Sequence, residues 1–237
     1  MARKKHASFK TTVPKTRKNE SLLQKKAFLI ACEGVCTEPN YIKNLVRIEK
    51  LNKNIAEGTI VKIAPHQHSD PLGVLTDLLS TSNKEDFDEC WIVIDRDAVE
   101  FKGKGFGGHT EDNFNQAINE AEKKNVKVAF SNPCFELWIV LHFEYRDTQV
   151  LRDDIQHKAL EKINSLLAQK SKLKNVDELK NFEELYSILK DKTSLAIKFA
   201  QKLSENEAKQ KNPSTSVHKL VNALTACETE KYTAVEK

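Results

Sequence analysis

The sequence predicts an α/β protein: a Rossmann-like, mostly parallel four-stranded sheet with helices on both faces, followed by a helical C-terminal extension. Three observations predict it. Short continuous apolar runs occur at 27–32 and 91–94, with a further short strand pattern at 126–130, and such runs suit strands buried on both faces. Helical periodicity with its own start signals fills the stretches between them. Beyond residue 146 the strand pattern stops and long lysine-rich amphipathic segments take over. Strands that alternate with helices in this way form a parallel sheet wrapped by helices.

The first strand, Ala27-Phe28-Leu29-Ile30-Ala31-Cys32, ends at Glu33-Gly34. Thr37 then starts a helix with Pro39 in its first turn and apolar side chains at Ile42, Leu45, Val46 and Ile48. Thr59-Ile60-Val61-Lys62-Ile63 is the second strand. Asp70-Pro71 opens the next helix, since proline is tolerated in a first turn, and Leu72, Leu75, Leu78 and Leu79 share one side of it. Trp91-Ile92-Val93-Ile94 is the third strand and ends at Asp95. A loop holding four of the seven glycines follows. Thr110 caps a helix to about residue 124, and 126–130 is the fourth strand. Ser131-Asn132-Pro133 opens a strongly apolar helix over 134–143. Further helices are expected at 151–169, 177–191, 193–208 and 214–226, with Asn212-Pro213-Ser214 separating the last two.

Charge divides the chain again. Residues 1–26 carry nine lysines and arginines against one acid, a net of +8, whereas the whole protein is only +4. A basic arm, disordered until something binds it, therefore precedes a mildly acidic body. The expected organisation is an arm over 1–26, an α/β domain over 27–147 and a helical region over 148–237 packed on it. Arg3, Lys4, Lys5, Arg17 and Lys18 of the arm are candidate contacts to nucleic acid, because each neutralised phosphate releases condensed counterions; a solubilising tail is the plainer reading of the same charge. No run approaches the roughly 18 apolar residues of a membrane span, and the opening Met1-Ala2-Arg3-Lys4-Lys5 is no secretory signal. Five cysteines without an even framework suit reduced thiols in the cytoplasm.

The acids at the strand ends carry the chemistry. Glu33 directly follows the first strand, and Asp95 and Asp97 follow the third in Ile94-Asp95-Arg96-Asp97. Open α/β sheets bind ligands beyond the carboxyl ends of their strands. Asp95 and Asp97 are two apart in extended chain and leave the same face, with Arg96 on the other. If the first and third strands are neighbours, three carboxylates meet there, and they require a cation or a shared proton. Oxygen ligands of this kind suit Mg²⁺ or Mn²⁺. Taken singly, each acid is more often a cap, a turn former or a solvated side chain.

These blocks resemble a known family. Phe28-Leu29-Ile30-Ala31-Cys32-Glu33-Gly34, with Thr37-Glu38 and Tyr41 behind it, is similar to the opening of the RloB-like family, and Ile94-Asp95-Arg96-Asp97 to its D-x-D strand. Ser131-Asn132-Pro133-Cys134-Phe135-Glu136-Leu137-Trp138 with His142-Phe143 resembles its most distinctive block, and Asn212-Pro213-Ser214-Thr215 with Leu220-Val221 its closing motif. The resemblance implies a Toprim-type fold with Glu33, Asp95 and Asp97 as its acidic triad. It also implies a place in phage defence or a restriction locus, often beside a partner ATPase. A topoisomerase would need a further domain with a nucleophilic tyrosine, and a primase a zinc module; neither is evident.

Glu136 is a candidate fourth metal ligand or substrate contact, although an acid in a first helical turn is favoured by the dipole alone. His142, about 120° away around the helix, is expected to be a hydrogen-bonded core histidine. Ser131 and Asn132 suit either phosphate contact or capping. Lys102, Lys104 and His109 of the glycine-rich loop are placed to meet substrate phosphates, but the loop lacks the ending of a phosphate-binding loop. His66-Gln67-His68-Ser69-Asp70 has no second ligand pair and is expected to be a surface loop.

The function expected is metal-dependent phosphodiester hydrolysis of DNA or RNA, tRNA included. Glu33, Asp95 and Asp97 are the catalytic residues, and with Glu136 they hold Mg²⁺ or Mn²⁺, Glu33 serving as ligand or as general acid–base. The partners expected are nucleic acid, an ATPase and a second copy of the chain, with no membrane. The alternatives are nucleotidyl transfer on the same metal and a non-catalytic nucleic-acid-binding or sensor subunit of an ATPase defence complex.

Overall fold

The computed structural model describes residues 25–96, 111–205 and 212–225. Four parallel strands, β1 (Ala27–Cys32), β2 (Ile60–Ile63), β3 (Glu89–Asp95) and β4 (Lys127–Asn132), form a sheet with a fifth, β5 (Ser214–Thr215), in the order β2-β1-β3-β4-β5. The helices α1 (Thr37–Leu51), α2 (Pro71–Leu79), α3 (Glu111–Lys123) and α4 (Glu136–Leu141) accompany the sheet. Then follow α5 (Arg152–Leu166), α6 (Val176–Lys180), α7 (Leu185–Leu189), α8 (Thr193–Glu205) and α9 (Val217–Thr225).

The apolar runs have the expected cause. Leu29, Ala31, Ile92 and Ile94 pack on one face with Val74, Leu75 and Leu78 of α2 and Phe114, Ala117 and Ala121 of α3. Phe28, Ile30, Cys32, Trp91 and Val93 pack on the other. There they meet Tyr41, Ile42 and Leu45 of α1, Leu137 to Leu141 of α4, and Ile155, Ile163, Leu179, Leu189 and Ala196 from beyond residue 148. Each fully buried side chain of this size contributes about 1.5–3 kcal/mol relative to exposure. β2, at the edge, instead alternates exposed Ile60 and Lys62 with half-buried Val61 and Ile63. Asp70 caps α2 as expected, its Oδ1 accepting the Gly73 N–H at 3.1 Å.

The sheet has five strands, not four, and is mixed. β5 runs antiparallel to β4, pairing Ser131 with Thr215 and Asn132 with Ser214. Two residues carry no periodicity, so the sequence pattern merges them into the last helix, which in fact starts at Val217. Ser131 and Asn132 extend β4 rather than open a helix: Ser131 Oγ lies 3.1 Å from Thr215 Oγ1, and α4 begins at Glu136 with no side-chain cap. The helix expected over 177–191 is broken into α6 and α7, with Asn181 taking the end of α6 and bonding back to the Asp177 carbonyl.

Candidate active site

Because β1 and β3 are hydrogen-bonded neighbours, their carboxyl ends stop side by side. The Glu33 N–H donates to the Val93 carbonyl at 2.9 Å, extending the ladder one step beyond the strand. The Glu33 carboxylate then accepts the Asp95 N–H at 3.0 Å. This bond unites two acidic motifs that stand 62 residues apart in sequence. Asp95 alternates with Trp91 and Val93, so its carboxylate leaves the sheet on the α1 and α4 face, where it is 5% exposed.

Two more acids come to the same place. Glu136 opens α4 and is buried. Its charge is felt by Cys134, whose thiol is pushed well up by burial first, then by Glu136 and Asp95. Glu38, in the first turn of α1, is raised to about 7. Burial is the main cause; its own backbone N–H opposes it, the Glu136 and Glu33 carboxylates add to it, and Arg152 at the head of α5 lowers it. Gly34 makes room for this side chain, since a Cβ there would collide with Glu38 Oε2 and lie 2.8 Å from Cδ. Glu33, Glu38, Asp95 and Glu136 thus form one acidic pocket with Arg152 as a cation beside it.

Glu38 has no role in the sequence reading beyond its place in the family-like block. The signal that marks it is three-dimensional: a buried acid seated on a glycine, facing two other acids. His142 is where sequence expects it, in the core, its Nδ1–H donating to the Trp138 carbonyl at 2.9 Å, and burial lowers it to about 4. Asp97, Lys102, Lys104 and His109, and Arg3, Lys4, Lys5, Arg17 and Lys18 of the arm, lie outside the described residues. Among the described residues no group of three or more His, Cys, Asp and Glu side chains is set to hold a metal ion. The donor chemistry nevertheless fits a hard divalent cation: every candidate ligand is a carboxylate, and burial first, with the like charge of Glu136 and Glu33 added to it, already raises Glu38 in the same pocket.

Among the described residues no helix is long and apolar enough to cross a membrane. No curated protein and no solved structure matches the chain. A family model does, that of the RloB-like proteins, over residues 28–224. That span runs from the first strand into the last helix and includes Glu33, Glu38, Asp95, Glu136 and the two-residue strand that completes the sheet. With its sheet and its acidic pocket both inside the matched region, the chain belongs to the RloB-like protein family.

Proposed function

We propose that this RloB-like protein hydrolyses phosphodiester bonds in DNA or RNA at the acidic pocket, using Mg²⁺ or Mn²⁺, and that it serves phage defence together with a partner ATPase. The observation that carries the reading is the bond from the Asp95 N–H to the Glu33 carboxylate, which makes one pocket of the two acidic motifs at the carboxyl edge of the sheet. Glu33, Asp95, Asp97 and Glu136 would hold the cation. Bound there, a divalent ion activates water and steadies charge on the phosphate. The chain's own part is to fix these carboxylates. Backbone rungs hold Glu33, burial holds Asp95 and Glu136, and Arg152 limits their mutual repulsion. Glu38, half protonated near neutrality, is a proton reservoir within the same pocket. The basic arm adds affinity for the phosphate backbone without reading bases.

The test is cleavage of DNA and RNA in the presence of Mn²⁺, by the protein alone and with its partner ATPase. Asp95→Asn, which keeps the side chain's shape, is expected to lower the rate at least about a hundredfold while leaving the circular dichroism spectrum unchanged. Parent-like cleavage by that variant would refute the assignment. The second reading is a non-catalytic nucleic-acid-binding or sensor subunit of an ATPase defence complex. It predicts that cells carrying Asp95→Asn remain protected from phage.

A further inference from the structure

The loop between β2 and α2 stands at the same edge of the sheet, and the acidic pocket does not account for it. His66, Gln67 and His68 are all exposed, yet the loop is fixed from beneath. The Ala64 N–H donates to the Ile30 carbonyl at 2.8 Å, the last backbone rung between β2 and β1. One step on, a side chain takes the place of the next rung: His66 Nδ1 lies 3.3 Å from the Cys32 carbonyl oxygen. A carbonyl only accepts, so Nδ1 carries the hydrogen and Nε2 is turned away from the sheet. Cys32 immediately precedes Glu33. The imidazole therefore sits at the end of the strand that leads into Glu33, two strand spacings, roughly 10 Å, from Asp95.

His68 is held more firmly. Asp77, buried in α2, accepts the backbone N–H groups of Gln67 at 2.8 Å and His68 at 3.0 Å on one oxygen, and His68 Nδ1 at 2.6 Å on the other. Burial would raise the Asp77 carboxyl, but these bonds outweigh it and hold it below the usual range. Gly73 clears the space, because a Cβ there would collide with His68 Cβ and lie 2.8 Å from Cγ. A buried carboxylate engaged by three donors of one exposed loop, above a glycine that admits the ring, is more than a solvated turn requires.

We infer that His66 is a substrate-contacting residue of the acidic pocket, donating from Nε2 as imidazolium to a phosphate oxygen of a nucleic-acid strand, and that Asp77 and His68 are positioning residues that hold its loop. The inference rests on the reading of the pocket as a phosphodiesterase site. It places the strand across the β2–β1–β3 edge, with one phosphate at the carboxylates and a neighbouring one at the imidazole. Such a contact orients the strand without reading its sequence.

The test is fluorescence anisotropy of labelled oligothymidylate and oligouridylate with the full chain carrying Asp95→Asn, in Mn²⁺, over a salt series. On this background His66→Ala is expected to weaken binding roughly 5- to 10-fold and to lower the salt slope by about one. Loss on one oligonucleotide alone would identify which of the two strands the edge accepts. Asp77→Asn is expected to reproduce part of both changes; a merely structural role would move its melting temperature but not the slope. His157→Ala, an exposed histidine whose Nδ1 bonds its own helix, should bind like the background protein. Unchanged affinity and slope in His66→Ala, or no binding of either oligonucleotide before that change, overturns the inference. The pocket itself is judged by cleavage: if Asp95→Asn cleaves like the parent, the phosphodiesterase reading fails. If Asp95→Asn is inactive while His66→Ala binds normally, only the histidine assignment falls.

Discussion

Burial and two neighbouring carboxylates act on Glu38 in the same direction, and that makes the pocket's cost measurable. Glu38 keeps its proton up to about pH 7 in the folded protein, against 4.5 for an ordinary glutamate. The folded state thus binds more protons than the unfolded state between those values, and stability falls as pH rises through them. The full penalty, about 3 kcal/mol, is present above pH 7 and absent below pH 4.5. Glu38→Gln should therefore raise the melting temperature above pH 7 and have little effect below pH 4.5, as differential scanning calorimetry would read; a gain independent of pH contradicts the assignment. Gly34→Ala should displace the Glu38 carboxylate and destabilise by about 1–3 kcal/mol in urea titration, with the fold retained. At this scale sequence was informative where backbone position decides. Glu33 and Asp95 end apolar runs, and strand ends are where such sheets place chemistry. Glu38 was not legible, because an acid in a first helical turn is ordinary and only the tertiary arrangement buries it.

Elements that end in side chains rather than backbone are the ones the pattern misjudged. Beyond β5, Ser216 stands in for a strand residue: its N–H donates to the Phe130 carbonyl at 2.8 Å, and its Oγ accepts the Phe130 N–H at 2.9 Å and donates to the Val128 carbonyl at 3.3 Å. The chain then turns into α9. Ser216→Ala leaves two groups of the β4 edge without these bonds and should cost about 1–3 kcal/mol by urea denaturation; a loss within error would mean that water replaces the hydroxyl. Long apolar stripes were legible because burial on both faces imposes them, as in β1 and β3. The two-residue β5 and the break between α6 and α7 were not, since each is set by local hydrogen bonds rather than by a repeat.

Across the whole molecule, the helices beyond residue 148 share one core with the sheet. Ile155, Ala159 and Ile163 of α5 and Ala196 and Ala200 of α8 belong to the cluster that holds Phe28, Trp91 and all the buried apolar residues of α4. Ile163→Ala should cost about 2–5 kcal/mol, and a chain ending at residue 147 should be insoluble because Trp138, Ile139 and Leu141 lose their cover; a soluble, cooperatively melting fragment would disprove this. Strand alternation was legible at this scale, but the order β2-β1-β3 was not, and that order is what brings Glu33 to Asp95. Apolar runs announce strands without saying which lie adjacent. The antiparallel strand has a temporal consequence. β4 acquires its outer neighbour only from Ser214–Thr215, more than eighty positions later in the chain. A ribosome must therefore deliver more than eighty residues beyond β4 before the sheet can close, so a chain synthesised only through β4 carries Glu33 and Asp95 but not yet the completed sheet.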